Sequence, residues 1–466
     1  MNQFQRKFGE GFSWNDQKLK DLARLNRNET IHCSTPFEIR HALNAVTVSY
    51  SLQWFSWPKW ERLIDWMALN GINAPLMPIG HEAVERRMLS DFNMTDTTWL
   101  TGPAFLSWFR MGNLQKWGGP PSDFWIEQQL SLGSQIVRRM VSDFEMTPVM
   151  PAFSGFVPDQ FKDLYPNAEV MNLTSWSGFN CTNSCITWLE PADKMFKQMQ
   201  TSYTNHQMEL FGYKPKYYAL DMFNEVQPKS DNTSFLAQTA LDVQTSLPEG
   251  SIWVMQGWLF HETPQFWQPA QVKAFLQGVP IGKMLILDLY AENSPIFNQT
   301  QSFYGQPFIW CMLGNFGGNT GWYGALPDIR HSLHLAKGSI VLVCLLLLFI
   351  LEYPNTTLIG TGITPEGLFQ NEIVYDFTLK QGYHGSIEKT ETFVREWINA
   401  RYGSGLRHEL RQEASDIFDY LTKTVWGREQ IEIHPNRDAQ KSTGTNYTLR
   451  YNHLGIITYN STGNLV

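Results

Sequence analysis

Residues 216–228 read KYYALDMFNEVQP. Aromatic and apolar residues run as far as Phe223 and then give way to Asn224 and Glu225. This is the pattern of a buried parallel strand that delivers a carboxylate at its C-terminal end. In an α/β barrel that end is the face on which chemistry is done. One glutamate is not a mechanism, and the segment GTGITPEG at residues 360–367 supplies a second at Glu366.

Outward from this stretch the chain repeats one unit. Strands are expected at residues 45–50 (AVTVSY), 72–77, 147–153, 217–223, 252–256, 284–290, 307–313 and 357–361. Helical patterns lie between most of them, for example at residues 58–69, 124–144, 235–245 and 269–276. In the first of these, Trp60, Leu63, Ile64, Met67 and Ala68 fall on one face, Pro58 stands near its start, and Asn70-Gly71 closes it. Strand and helix in alternation define a parallel sheet, and eight such units close into a (β/α)8 barrel of the TIM type. After residue 378 only helical periods follow, at residues 390–402 and 406–424. The expected division is an N-terminal segment of unassigned fold at 1–43, a catalytic barrel at 44–380, and an incomplete C-terminal helical domain at 381–466.

A length of 466 residues accommodates one large barrel with smaller pieces, and 43% hydrophobic residues permit a sizeable core. A formal charge of −8 without any basic run excludes the electrostatic footprint of a nucleic-acid binder. The apolar run at residues 340–351, IVLVCLLLLFIL, is shorter than the roughly 20 residues a spanning helix needs, so no membrane partner is expected. It reads either as a buried barrel element or, because it sits where a barrel would place an amphipathic outer helix, as a segment foreign to the fold. Nine Asn-x-Ser/Thr sequons point to a secretory route, although the opening MNQFQRKFGEGF has no apolar core of a signal peptide. For the spacing FNCTNSC, a bridge between Cys181 and Cys185 and two separate thiols are equally open. Oligomeric state is left open, homo-oligomers included.

By strand order Glu225 follows the fourth strand and Glu366 the eighth, so the two stand on opposite walls of the barrel mouth. Paired carboxylates in that arrangement suit glycoside hydrolysis, with one acid held protonated and one carboxylate held ionised. Glu225, among Tyr217, Tyr218 and Phe223, suits the acid; Glu366, among Gly362, Thr364 and Gly367 with backbone donors, suits the anion. Asp221, Asp288, Glu292 and Glu372 are competing acidic residues. Asp221 and Asp288 read as strand residues in supporting roles, and Glu372 reads as the start of a helix, where it complements the dipole. No HExxH, GxSxG or GxxxxGK[ST] occurs, no dinucleotide fingerprint follows the first strand, and His331 and His334 in HSLH read as a helical surface pair. No metal or cofactor is expected.

The motifs WPKWERLIDWMALNGIN, TGPAFLSWFRMGN, SWSGFNC, FNEVQP, MQGWLF, QPFIWCMLGNFGGNTG and TGITPEGLFQNEIVY, co-linear from about Asn44 to Tyr402, resemble the α-N-acetylglucosaminidases of glycoside hydrolase family 89. The resemblance implies a retaining exo-glycosidase that releases terminal α-linked N-acetylglucosamine, as in heparan sulfate breakdown in lysosomes. It implies Glu225 as acid/base, Glu366 as nucleophile, and Asn44, Trp108, Trp176, Asn224, Trp258 and Leu289 as pocket residues. Val46 and Gly314 depart from the Cys and His that the family commonly carries at those places. Those departures and the short helical region keep two other readings beside the first, a catalytically impaired sugar-binding protein and a truncated gene-model fragment.

Overall fold

The computed structural model describes residues 34–314, 316–317, 324–338, 356–368, 372–383 and 389–402, with positions 416–417, 421, 448–449 and 457–458 beyond them. The apolar run at 340–351 and most of the expected helix at 406–424 lie outside the described residues. Eight parallel strands form the sheet at the centre: β1 (Ile39–Ala42), β2 (Ala74–Pro75), β3 (Val149–Pro151), β4 (Tyr217–Ala219), β5 (Ile252–Gln256), β6 (Met284–Asp288), β7 (Phe308–Met312) and β8 (Leu358–Ile363). Each strand pairs with its sequence neighbour, and β8 returns to β1 with Ile39 opposite Gly360. A parallel bridge between Leu76 and Val149 joins β2 to β3 and completes the ring. The fold is therefore the expected (β/α)8 barrel.

Close packing between β8 and β1 depends on glycine. A Cβ at Gly360 would lie 2.5 Å from the Ile39 carbonyl oxygen, so a side chain there would push the two strands apart. Inside the ring and against its helices lie Trp253, Trp310, Tyr218 and Phe308, all fully buried. Both of these indoles find partners: Trp310 donates to Ser332 Oγ at 3.0 Å, and Trp253 to the Leu220 carbonyl at 3.0 Å.

The outer helices begin and end for local reasons. Trp57–Leu69 starts after an extended Ser56 with Pro58 in its first turn, and it buries Trp60, Leu63, Ile64 and Met67. Asp123–Arg138 starts at Ser122, whose side chain accepts the Trp125 amide; Thr233–Ser246 starts at Asn232, which accepts two amides. Thr390–Tyr402 forms as expected and packs Phe393 edge-on against Phe377 of the helix Glu372–Gln381, with ring centres 5.1 Å apart.

The first strand is the main correction. Residues 45–50 are not extended: a turn leads into a helical segment, Val48–Leu52. Asn44 dictates this, because its side-chain oxygen accepts the Val46 amide at 3.1 Å while its own amide donates to Thr47 Oγ1 at 2.9 Å. That local hydrogen bonding outcompetes the β-propensity of Val46, Thr47 and Val48. The true β1 lies upstream of residue 44 and contains Arg40 and His41, which disguised it as polar. His41 is completely buried, its ring nitrogens meeting the Ala74 and Leu43 carbonyls at 2.7 and 3.1 Å. Burial lowers its pKa to about 4, so it sits in the core as a neutral imidazole.

Between β3 and β4 a small antiparallel sheet of Phe156–Val157, Val170–Asn172 and Thr187–Leu189 is inserted, unannounced by the sequence pattern. The loop beside it carries the Cys181–Cys185 disulfide, so the two thiols are joined. The other described cysteine, Cys311, is a buried thiol in β7.

Candidate active site

A cavity of about 500 Å³ opens at the C-terminal ends of the strands, a size suited to a monosaccharide with room around it. Its wall is contributed by the segments that follow β1 (Asn44, Val46, Tyr50), β4 (Asn224, Glu225), β5 (Trp258, Glu262), β6 (Leu289), β7 (Leu313, Phe316, Gly317) and β8 (Glu366). Gln256, the last residue of β5, lies between them. The long β2–β3 and β3–β4 connections add Trp108, Met111, Trp176 and Ser177. All eight residues selected from the sequence, Asn44, Trp108, Trp176, Asn224, Glu225, Trp258, Leu289 and Glu366, meet in this one space.

Glu225 is held between two indoles. Trp176 Nε1 donates to its Oε2 at 2.6 Å and Trp258 Nε1 to its Oε1 at 3.0 Å. Its backbone is left-handed, with φ of 58°, an uncommon conformation for a residue with a Cβ and one that turns the side chain out of the strand line. The peptide just before it is fixed by Asn113, whose amide donates to the Asn224 carbonyl at 2.8 Å.

Glu366 accepts the Gly317 amide, a donor from the segment after β7 rather than from Gly362 or Gly367 beside it in sequence. Its loop is tied across the barrel seam to the turn after β1. Thr47 Oγ1 donates to the Pro365 carbonyl at 2.7 Å, and Asn44 Nδ2 to the Thr364 carbonyl at 3.2 Å. The misassigned turn is thus what braces the second carboxylate.

Burial raises both pKa values. For Glu366 it reaches about 7, opposed by the Gly317 amide and reinforced by the charge of Glu225. For Glu225 burial again leads, opposed by the Trp176 and Trp258 donors, with Glu262 adding a smaller upward push. The environment therefore does not separate the two roles as simply as composition implied: burial raises both carboxyls, and the charge of Glu225 raises Glu366 further. Tyr50, which faces both carboxylates, is driven up to about 12, first by burial and then by Glu366 and Glu225. Its ring meets Trp108 edge-on at 5.5 Å.

The competing acids serve the scaffold. Asp288 accepts the Ile296 and Phe297 amides at 3.1 and 3.0 Å, and Glu292 accepts the Leu313 and Gly314 amides at 3.1 and 2.7 Å. Burial raises each to about 7. These two carboxylates fix the loops that carry Leu289 and Leu313. Asp221 lies past the end of β4 rather than within the strand, and it receives both the amide and the side chain of Gln256 at 2.8 Å. Glu372 opens its helix as expected, and His331 and His334 lie on the helix Leu326–Ala336.

Sequence reasoning missed Tyr50, Gln256, Glu262 and Phe316 in the wall. Gln256 lies within the quoted MQGWLF, Glu262 stands two residues past it, and Phe316 lies within NFGG, so a signal was there. Tyr50 was hidden by the strand assignment. Among the described residues no group of three or more His, Cys, Asp or Glu could hold a metal ion, and no helix is long and apolar enough to cross a membrane.

Fold and pocket together define a (β/α)8 barrel of the glycoside-hydrolase kind, with two carboxylates turned into one cavity at the C-terminal face. Comparison with known proteins agrees. Residues 40–385 match the family model described as the alpha-N-acetylglucosaminidase (NAGLU) tim-barrel domain. The chain belongs to the alpha-N-acetylglucosaminidase family. It is 41% identical over 377 residues to human alpha-N-acetylglucosaminidase, covering 79% of this chain and 49% of that protein. A family 89 glycoside hydrolase from Clostridium perfringens in complex with PUGNAc superposes with a TM-score of 0.75 at 27% identity, covering 88% of this chain and 43% of its own. A doubly substituted form of the same organism's enzyme, in complex with its substrate GlcNAc-alpha-1,4-galactose, gives 0.76 at 26%, over 93% and 46%. This chain spans about half the length of the curated relative it matches.

Proposed function

We propose that the protein is a retaining exo-glycosidase that hydrolyses terminal non-reducing α-linked N-acetyl-D-glucosamine, with Glu225 as acid/base and Glu366 as nucleophile. The observation that carries the reading is the convergence of both glutamates, from β4 and β8, on one cavity walled by Trp108, Trp176 and Trp258. The relatives named for this activity support the substrate class.

In the proposed reaction the glutamate pair holds one proton, and the reactive form carries it on Glu225. A charged Glu225 raises the pKa of Glu366, so protonating Glu225 lets Glu366 ionise. The Glu366 carboxylate attacks C1 while Glu225 gives its proton to the glycosidic oxygen. The C1–O bond breaks, and the sugar is left as an ester of Glu366. Glu225, now anionic and still held by two indole N–H groups, takes a proton from water. The resulting hydroxyl joins C1, the ester bond breaks, and Glu366 is regenerated. Asn44 and Asn224, both buried at the pocket, supply amides for the sugar's polar groups, and the Trp rings supply apolar walls for its C–H faces.

The domain limits belong to the same proposal, with the start of the barrel moved from residue 44 to Ile39, where β1 begins, its end kept at 380, and 381–466 as a helical domain. So do heparan sulfate as the substrate context and a lysosomal or secretory location. The sequons support the location. Separate Glu225→Gln and Glu366→Gln substitutions should each remove most turnover of an aryl α-N-acetylglucosaminide. Azide should rescue Glu366→Ala as a glycosyl azide with inverted configuration. Near-normal turnover in either Gln variant would refute that residue's role, and binding of N-acetylglucosamine without turnover in the parent protein would favour the sugar-binding reading.

A further inference from the structure

Resting on the reading of Glu225 as the acid, we infer that the aromatic rail Trp176–Phe179–Trp117 is the binding platform for the saccharide chain beyond the scissile bond. The acid must face the glycosidic oxygen, so the leaving sugar has to emerge beside Glu225 and its hydrogen-bonded neighbour Trp176. From Trp176 a line of rings continues outward. Phe179 stacks on it with ring centres 5.8 Å apart and planes 8° from parallel, and Trp117 meets Phe179 edge-on at 5.1 Å. Trp117, at 39% exposure, ends the line at the surface.

The two loops that carry these rings are fastened to each other. The Gln115 amide donates to the Asn183 carbonyl at 2.9 Å, and Ser184 Oγ donates to the Asn113 carbonyl at 3.1 Å while accepting the Trp176 amide at 2.8 Å. The Cys181–Cys185 disulfide closes the segment just past Phe179. A surface held rigid in this way binds without first having to be ordered. The contacting rings lead from Trp176 to Trp117 at the surface, and the faces they do not turn on one another are apolar and suit the C–H faces of pyranose rings.

Calorimetry on the Glu366→Gln protein tests this, with Thr182→Ala present throughout so that the Asn180 sequon carries no glycan. The titrants are N-acetylglucosamine and two trisaccharides with a terminal α-linked N-acetylglucosamine, one continued by neutral hexoses and one by a hexuronate. A trisaccharide should bind roughly tenfold more tightly than the monosaccharide, about 1.4 kcal/mol. Phe179→Ala and Trp117→Ala should each pull that ratio towards one in proteins that melt like the parent. If the monosaccharide binds but neither trisaccharide gains affinity, or if the ratio survives both substitutions, the platform is refuted and the catalytic reading stands. If no saccharide binds, both fall. Equal gains for both trisaccharides assign the platform to ring faces, whereas a gain for the hexuronate alone would overturn aromatic stacking in favour of charge.

Discussion

Replacing Trp176 by Phe keeps a ring against Phe179 but removes the N–H that Glu225 Oε2 accepts at 2.6 Å. Hydrogen bonds to a charged group contribute about 1.5–3 kcal/mol. Glu225 is only half-buried by surface area, so the lower end, about 1.5 kcal/mol, is the appropriate figure. At 1.36 kcal/mol per pH unit this is a rise of roughly one unit in the pKa of Glu225, because the lost donor stabilised the ionised form. If Glu225 must be protonated to act, the basic limb of the kcat/KM profile for an aryl α-N-acetylglucosaminide should move up by about one unit. The acidic limb should move much less. Trp258→Phe, removing the longer 3.0 Å bond, should produce a smaller shift in the same direction. A profile in which the acidic limb moves instead would show that Glu225 works as an anion and would exchange the two proposed roles. A profile in which neither limb moves would refute the hydrogen-bond argument itself.

The raised carboxyls Glu85 (about 8), Asp288, Glu292 and Glu366 (about 7 each) bind protons more readily in the folded state than in the unfolded one. Their stabilising protons are present at low pH and lost as pH rises through those values. His41 and His81, lowered to about 4 and 3, act oppositely but only below their unfolded pKa near 6.5. Between pH 6.5 and 8.5 the denaturation midpoint should therefore fall as pH rises, and a flat or rising midpoint would contradict the burial argument. Over the same range Glu366→Gln should be more stable than the parent, by on the order of 2 kcal/mol at the alkaline end, with the gain vanishing near pH 4. Thr47→Val, which removes the bond to the Pro365 carbonyl, should lower kcat more than it raises KM, because it loosens the Glu366 loop while leaving the walls in place. Trp310→Ala, at a fully buried site, should cost about 3–5 kcal/mol in chemical denaturation.

Read alone, the sequence determined the alternation of strands and helices and the two acidic strand ends. It did so because hydrophobic period and turn residues are local properties of the chain. Seven of the eight strands lie where short apolar runs end in polar residues, and Glu225 and Glu366 stand just past the fourth and the eighth. The first strand was hidden because IRHA looks polar until the barrel closes around His41 and leaves it neutral. AVTVSY looked extended until the side chain of Asn44 claimed the Val46 amide. Tertiary structure alone decided which side chains share the cavity and what their pKa values become. Solvent exclusion and contacts such as Trp176 to Glu225, 49 residues apart in the chain, exist only after closure. It likewise decided between bridge and thiols at Cys181 and Cys185, and it assigned Asp288 and Glu292 to bracing loops, because the amides they accept come from segments that folding brings to them.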